Sequence, residues 1–467
     1  MLKNDLFVTY KNSCLVLTDL GESLTYGDIA AIGKKLHSII KHRCLVFCLC
    51  QNTIGSLIGY ISFISNRVVP VMLDSSLDKE MLNDLIQNYT PEYLWLPNER
   101  IQEFFDAQVV FSASNYSLIK LENDKSGKLN DRLALLLTTS GSTGSPKFVR
   151  ISYENLEANA NSIAKYLSID EFERPITTLP MNYTFGLSII NSHLIKGATI
   201  LLTTKSLMEK EFWSFLKNQN ATSLSGVPYT YEILKKLSFF RMDLPSLKTL
   251  TQAGGKLNSN LNMEFAEFCK NTEKRFFVMY GQAEATARMS YLPNEYALSK
   301  LGSIGIAIPG GKFSLIDENG ALINEPEVTG ELVYEGSNVS LGYAECKDDL
   351  DRGNENNGKL HTGDLAKRDS DNFYYIVGRK KRFLKLFGNR VNLDETERLV
   401  KNLILDCACT GFDDRLVVYI TEVGREEEIN QYLSSKMLIH RSAIIVRHLD
   451  SIPKNSWGKT IYTDLDI

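Results

Sequence analysis

No apolar run in this 467-residue chain approaches the roughly 20 residues that a membrane-spanning helix needs; stretches such as residues 57–64 are far shorter. A membrane anchor is not expected. The first twenty residues lack the uninterrupted apolar core of a secretory signal, because Lys3, Asp5, Lys11 and Asp19 interrupt it, so the expected location is cytoplasmic. Charge of one sign is also missing: 52 Lys and Arg face 56 Asp and Glu, a formal net charge of −4, which leaves no electrostatic footprint for nucleic acid. The eight cysteines show no metal-ligand spacing. Cys44, Cys48 and Cys50 fall in the run CLVFCLC, which reads as a buried strand, and reduced structural thiols are expected. No period of 20 to 50 residues is present, which argues against a solenoid.

What is present is the composition of a folded globular protein, 43% hydrophobic and 23% charged, in a chain long enough for two to four folding units. Short apolar runs alternate with amphipathic segments: CLVFCLC, VVPVML, YLWL, LALLLTTS, ATILL, FFVMY and FSLID read as strands, which predicts layered α/β architecture. From about Thr329 the texture becomes short β-branched and aromatic runs bounded by Gly, Asn and Asp, as in GELVYEG and NFYYIVG, and a β-rich subdomain is expected to begin there. The basic stretch GRKKRF at 378–383 reads as a hinge. Beyond it, RLVVYIT and AIIVRHL predict strands of a small compact domain.

The sharpest chemical signal is TTSGSTGSPK at 138–147, directly after the strand-like LALLL. Its glycines let backbone approach a ligand, its hydroxyls can donate to oxyanions, and Lys147 adds a positive charge, the chemistry of a phosphate cradle. On composition alone the same segment is a flexible turn. It is not a Walker loop, since the G-x-x-x-x-G-K-[ST] spacing is absent.

Here the chain resembles the adenylate-forming enzymes: acyl-CoA synthetases, adenylation domains of peptide synthetases, and luciferases. The cradle matches that family's signature loop except at Phe148, where glycine is usual. Further matches follow in the family's order: AGGKL at 253–257, YGQAEAT at 280–286, GSIG at 302–305, GEL at 330–332, HTGDLA at 361–366, GRKKRFLKLFGNRV at 378–391 and PKNSWGK at 453–459. The resemblance spans residues 20–467. It implies a large N-terminal α/β domain of several subdomains over 1–379, one of them β-rich, a hinge at 380–381, and a small mobile C-terminal α+β domain over 382–467.

The resemblance also implies roles. Thr139, Ser140, Gly141, Ser142, Thr143, Gly144 and Lys147 would hold the ATP phosphates, and Thr139 is grouped with Glu284 and Lys459 as catalytic. Gly254, Gly255, Tyr280 and Gly281 would surround adenine, with the Tyr280 ring available to stack. Asp364 would accept the ribose hydroxyls, Arg379 would also reach the ribose, and Glu284 would hold Mg2+, as suits a hard oxygen ligand. Lys381 aligns with the pivot. Lys459 aligns with the lysine whose ammonium bridges the substrate carboxylate and the α-phosphate.

The implied activity is that of an AMP-forming acid–thiol ligase: a small carboxylic acid and Mg·ATP give acyl-adenylate and pyrophosphate. The acyl group then passes to coenzyme A or to the phosphopantetheine of an acyl carrier protein. Three features qualify this. Ala283 stands where the family usually has Thr, which implies either weaker activity or compensation by other donors such as Thr286; the C-terminal domain is short; and Thr184 falls where amino-acid-activating members carry Asp. An α-ammonium without that carboxylate is costly to desolvate, so Tyr183, Thr184, Phe185, Gly186, Val227 and Pro228 are expected to form a mainly apolar pocket for an aliphatic or aryl acid. Two alternatives stand beside this reading: an amino-acid-activating ligase that loads a carrier protein, and a catalytically silent nucleotide-binding homologue.

Overall fold

A computed structural model describes residues 4–104, 107–122, 127–138, 147–380, 382–386, 389–412, 415–437, 439–455 and 459–465. Thr139, Ser140, Gly141, Ser142, Thr143 and Gly144 of the cradle, and Lys381 of the hinge, lie outside these residues.

Continuous apolar runs become the strands of two mixed sheets. In the first, Leu45–Cys50 pairs in parallel with Val69–Asp74 and Tyr93–Pro97, and Val69–Asp74 pairs in parallel with Leu133–Thr138. Strands covered on both faces need no polar alternation, which is why Leu45–Cys50 is buried at all six positions. The second sheet runs Ser223–Gly226, Thr249–Gln252 and Arg275–Tyr280 side by side in parallel. Between the two sheets lies the helix Ile54–Ser65, buried at every position through Ile64, as expected of a helix apolar all round. Its residues share one core with Val46 and Trp95 of the first sheet and with Leu187 and Ile190 of the helix Thr184–Leu194. Tyr60 donates to Asn191 Oδ1 across this layer at 2.7 Å. No helix among the described residues is long and apolar enough to cross a membrane. All eight cysteines are free thiols.

A five-stranded antiparallel sheet follows, ordered Leu322–Ile323, Gly311–Ile316, Gly330–Gly336, Lys359–Arg368, Tyr374–Arg379. The β-rich region thus opens at Gly311, earlier than the expected boundary near Thr329, and FSLID belongs to it rather than to the α/β layers. The reason is visible in its burial: Phe313 and Leu315 are buried while Ser314 and Ile316 are partly exposed, the period-two signature of a strand with one covered face. After Arg379 the chain forms the hairpin Phe383–Leu386 with Asn389–Asn392 and the helix Leu393–Val400. A three-stranded sheet of Cys407–Phe412, Arg415–Ile420 and Ile444–His448 completes this C-terminal unit, with the helix Glu426–Met437 between its last two strands. The unit has its own core of Val400, Cys409, Val418 and Leu433.

Gly59 shows how tightly the central helix is seated. A Cβ there would overlap the indole of Trp95, whose Nε1 donates to the Gly55 carbonyl at 2.9 Å. Gly59→Val should therefore destabilise the chain by about 1–3 kcal/mol, the usual cost of overpacking. Denaturant unfolding checks this; an unchanged midpoint would contradict the packing described.

Candidate active site

Loops at the ends of the parallel strands Thr249–Gln252 and Arg275–Tyr280 meet the edge of the five-stranded sheet. There, antiparallel register sets Asp364 opposite Arg379. Asp364 is 4% exposed, yet it is richly supplied with donors. Its Oδ1 faces Arg379 Nε at 3.2 Å, and its Oδ2 accepts from the Tyr280 hydroxyl and from Gln282 Nε2 at 2.9 Å. Burial raises the Asp364 carboxyl above the ordinary carboxylate range, opposed by the Arg379 charge and by the hydrogen bonds from Tyr280 and Gln282. Tyr280 is thus fixed by its hydroxyl while its ring borders the cleft.

Glu284 sits one turn further along the same loop. Its Oε1 accepts from the Tyr343 hydroxyl at 2.7 Å, and Tyr343 belongs to the strand Gly342–Ala344 at the edge of the first sheet. Lys147, the described end of the cradle segment, pairs with Glu345 at 2.8 Å and lies 5.9 Å from the Tyr343 ring. The first sheet therefore brings the cradle's exit and a phenol to Glu284.

The opposite wall begins with Gly254, at φ +83°, a left-handed conformation that a side chain rarely adopts. A Cβ there would stand 2.7 Å from the Tyr183 hydroxyl and 3.0 Å from Val227 Cγ1. Gly255 follows, against the Pro228 ring, and Gly281 continues the strand that ends at Tyr280. Tyr183 is the cap residue of the helix Thr184–Leu194, and Thr184, Phe185 and Gly186 form its buried first turn. Tyr183, Phe185 and Val227 join Leu179, Ile189, Ala253 and Met279 in one apolar cluster. Burial pushes the Tyr183 phenol up to about 12, partly offset by the positive charge of Arg288.

From the C-terminal unit, Lys459 enters this cleft. Its Nζ lies 5.7 Å from the centre of the Tyr183 ring. Its backbone exchanges two hydrogen bonds with Asn455: the Lys459 amide donates to Oδ1 at 3.0 Å, and its carbonyl accepts the Asn455 N–H at 2.9 Å. Burial and the Arg379 charge lower its ammonium pKa, whereas Glu284 and Asp364 pull it back up. Asp364, Arg379, Glu284 and Lys459 therefore share one electrostatic environment, with the Tyr183 ring beside the ammonium, although they derive from two sheets, a helix cap and the terminal loop.

A family model for AMP-binding enzymes matches residues 11–344. The chain belongs to the AMP-binding enzyme family. It is 28% identical to 4-coumarate--CoA ligase-like 8 of Arabidopsis thaliana, over 72% of this chain and 62% of that protein. It is 26% identical to a 2-succinylbenzoate--CoA ligase of Bacillus cereus over 92% of this chain and 89% of that one. The alignments thus span just under two thirds of the Arabidopsis relatives, including 64% of peroxisomal OPC-8:0-CoA ligase 1. The O-succinylbenzoate coenzyme A synthetase (MenE) of Bacillus subtilis, in complex with AMP, has the same fold. Its TM-score is 0.82 at 20% identity, covering 99% of this chain and 97% of that one. MatB of Rhodopseudomonas palustris, bound to ATP, superposes with a TM-score of 0.80 at 18% identity over 98% and 96% of the two chains.

Several residues of this AMP-binding enzyme's cleft were not singled out from sequence. Gln282 lies inside the YGQAEAT motif and could have been read from it. Tyr343 and Arg288 carry no local signal, because their significance comes from partners distant in the chain. Thr286, expected as a compensating donor for Ala283, does not serve as one. Its buried hydroxyl donates to the Asn338 carbonyl at 2.7 Å, so it points into the fold. Thr286→Val should then lower stability by about 1–3 kcal/mol, through the unsatisfied Asn338 carbonyl, and leave ATP affinity unchanged within about twofold. Thermal unfolding and ATP titration calorimetry check both; a large loss of affinity without destabilisation would show that the hydroxyl serves the nucleotide.

Proposed function

We infer that this enzyme is an AMP-forming acid–thiol ligase using ATP, Mg2+ and a small carboxylic acid. The observation that carries this reading is the entry of Lys459 into the cleft framed by Asp364, Glu284 and Tyr183. Asp364 has two oxygens and sits on a rigid strand, the acceptor set that a ribose diol requires, and Arg379 beside it supplies a second handle. Glu284, oriented by Tyr343, offers the hard oxygen that Mg2+ takes, and the ion would supply charge neutralisation at the triphosphate. Thr139 to Gly144, with Lys147 at their exit, are proposed to cradle the phosphates. Gly254, Gly255, Tyr280 and Gly281 are proposed to flank the adenine.

In the first half-reaction a carboxylate oxygen of the acid attacks the α-phosphorus of ATP, and pyrophosphate leaves. Lys459 neutralises the charge that gathers on the reacting oxygens, and a preplaced ammonium does so without reorganising solvent. In the second, a thiolate sulfur attacks the acyl carbonyl and AMP leaves; coenzyme A or a carrier-protein phosphopantetheine is proposed as the thiol. The thiol needs space that Lys459 occupies, which requires the C-terminal unit to move. Lys380 is clamped to the large domain, its Nζ on Glu331 at 2.8 Å and its N–H on the Gly363 carbonyl at 2.7 Å. Lys381, the next residue, is therefore proposed as the pivot. Among the described residues polar contacts cross the boundary, such as the Arg379 N–H on Asp394, Asn392 Nδ2 on the Val377 carbonyl and Lys454 over the Tyr229 ring, which suits relative motion.

An amino-acid substrate is disfavoured. Thr184 offers no carboxylate, and the nearest buried charge to that helix start is the cation of Arg288, which would repel an α-ammonium.

Incubation with ATP, magnesium and a library of acids, scoring acyl-AMP by mass before adding coenzyme A or a carrier protein, tests the reading. ATP binding with no acyl-AMP or pyrophosphate from any acid would favour a silent nucleotide-binding protein. Lys459→Ala should slow acyl-adenylate formation by about 10²–10³-fold. Because the ammonium is the working form and its pKa is depressed, wild-type kcat/KM for adenylation should fall on the alkaline side at a midpoint below the ordinary lysine value of 10.5. That limb should vanish in Lys459→Ala; its persistence would assign it to another group.

A further inference from the structure

The cysteines carry no metal-ligand spacing along the chain, but the fold brings one of them to a histidine and a glutamate. His42 and Cys44 lie two residues apart in the short link between the helix Tyr26–Ile40 and the strand Leu45–Cys50. Glu92 immediately precedes the neighbouring parallel strand Tyr93–Pro97. His42 Nε2 meets Glu92 Oε2 at 2.7 Å, and with the Cys44 thiol included, one ligand atom of each residue lies within 4.8 Å of the other two. Cys44 is buried, Glu92 is intermediate and His42 is exposed, so the sulfur is the innermost of the three and the imidazole the outermost.

The backbone that carries these groups is fixed. Arg43, between two of them, clamps its guanidinium on the carbonyls of Arg67 at 2.8 Å, Asn130 at 2.7 Å and Leu133 at 2.5 Å, and the Cys44 carbonyl accepts the Val69 N–H at 2.9 Å. The Glu92 N–H donates to the Leu45 carbonyl and its own carbonyl accepts the Leu121 N–H, both at 3.0 Å. An exposed His–Glu pair is by itself ordinary and contributes little. A thiol within reach of both changes its chemistry, because sulfur, imidazole nitrogen and carboxylate oxygen are the ligand types of zinc. Bond lengths of about 2.3 Å to sulfur and 2.0–2.2 Å to nitrogen and oxygen put ligand atoms roughly 3.3–3.6 Å apart on a tetrahedron. Rotation of the exposed His42 ring brings the present spacing to that value.

We propose that His42, Cys44 and Glu92 bind a thiophilic divalent cation, Zn2+ in the simplest case, with water from the open side as the fourth ligand. The metal–sulfur bond forms as the thiol proton passes to water, and the His42–Glu92 contact gives way to two bonds to the ion. Burial and the nearby Glu92 charge hold the Cys44 thiol above its ordinary range, opposed by Arg43, so only an ion that favours sulfur displaces that proton. The site is structural. It lies where Leu45–Cys50 begins, whereas the cradle segment follows the far end of Leu133–Thr138, which runs in the same direction in the same sheet. At about 3.3 Å per residue, a six-residue strand separates the two edges by about 20 Å. The ion would tie the link after Tyr26–Ile40 to the strand Tyr93–Pro97, and its binding does not depend on the ligase reading. Mg2+, a hard ion that keeps its waters, should not compete for it.

Co2+ is the spectroscopic probe. The full chain, freed of metal by a chelator, is titrated with Co2+ and then with Zn2+ as wild type, Cys44→Ala and His42→Gln. Wild type should take up one Co2+ per chain, with a near-ultraviolet thiolate-to-metal band and the visible bands of a tetrahedral ion. One equivalent of Zn2+ should bleach both and raise the thermal unfolding midpoint, and excess Mg2+ should do neither. Cys44→Ala should lose the thiolate band. His42→Gln should weaken Zn2+ binding by at least about 10–100-fold, the loss that removing even a residue behind a ligand causes. Absence of the thiolate band in wild type, or the same band in Cys44→Ala, which keeps the other seven cysteines, overturns the proposal. Should Cys44→Ala fail to fold, His42→Gln decides, because His42 is exposed: unchanged Zn2+ affinity in that variant overturns the site.

Discussion

The ammonium of Lys459 depends on two carboxylates that lie far from it in the chain. Burial and the neighbouring Arg379 both disfavour its charge, while Glu284 and Asp364 favour it. Remove either acid and the lysine has less reason to enter the cleft. The docked position of the C-terminal unit is thus coupled to the charge of these carboxylates, the proposed nucleotide site. A bound triphosphate would add negative charge to this balance and strengthen the attraction. In the proposed reaction, loss of pyrophosphate would weaken it, a physical reason for the unit to leave after the first half-reaction.

The rest of the architecture serves that convergence. Two sheets share a wholly buried helix, so the loops at their strand ends are held on one rigid frame. The antiparallel sheet then fixes Asp364 and Arg379 as cross-strand neighbours, and its last strand delivers the chain to Lys381. Lys380 is tied down on the near side of that residue, and the Asn389–Asn392 strand with its following helix forms a separate cored unit on the far side. The polarity of the contacts between the two units keeps them separable.

Much of this was legible in the sequence because it is local. Strands buried on both faces appear as unbroken apolar runs, and the segments proposed to hold ligand appear as Gly-, Thr- and Ser-rich motifs in a fixed order. What was not legible is pairing over distance. Tyr280 meets Asp364 across 84 residues and Tyr343 meets Glu284 across 59, and nothing in either neighbourhood announces the other. FSLID looked like its apolar predecessors until its alternate burial placed it in the antiparallel sheet. Arg288 carries no signal after YGQAEAT, because only the fold shows it enclosed with no carboxylate pairing it among the described residues. Thr286 looked available because it sits in a ligand motif, but its backbone, at φ +58°, accompanies a hydroxyl spent on Asn338.

If the Lys459 ammonium and the nucleotide share one cleft, each should shield the other from reagents. Amine labelling read by mass spectrometry addresses it directly, since a lysine with a lowered pKa reacts faster than its exposed neighbours and a ligand in the same cleft shields it. Lys459 should be readily modified in the free enzyme and markedly protected by Mg·ATP, with exposed lysines such as Lys128 unaffected. Equal labelling of Lys459 with and without Mg·ATP, at the rate of an exposed lysine, would contradict it.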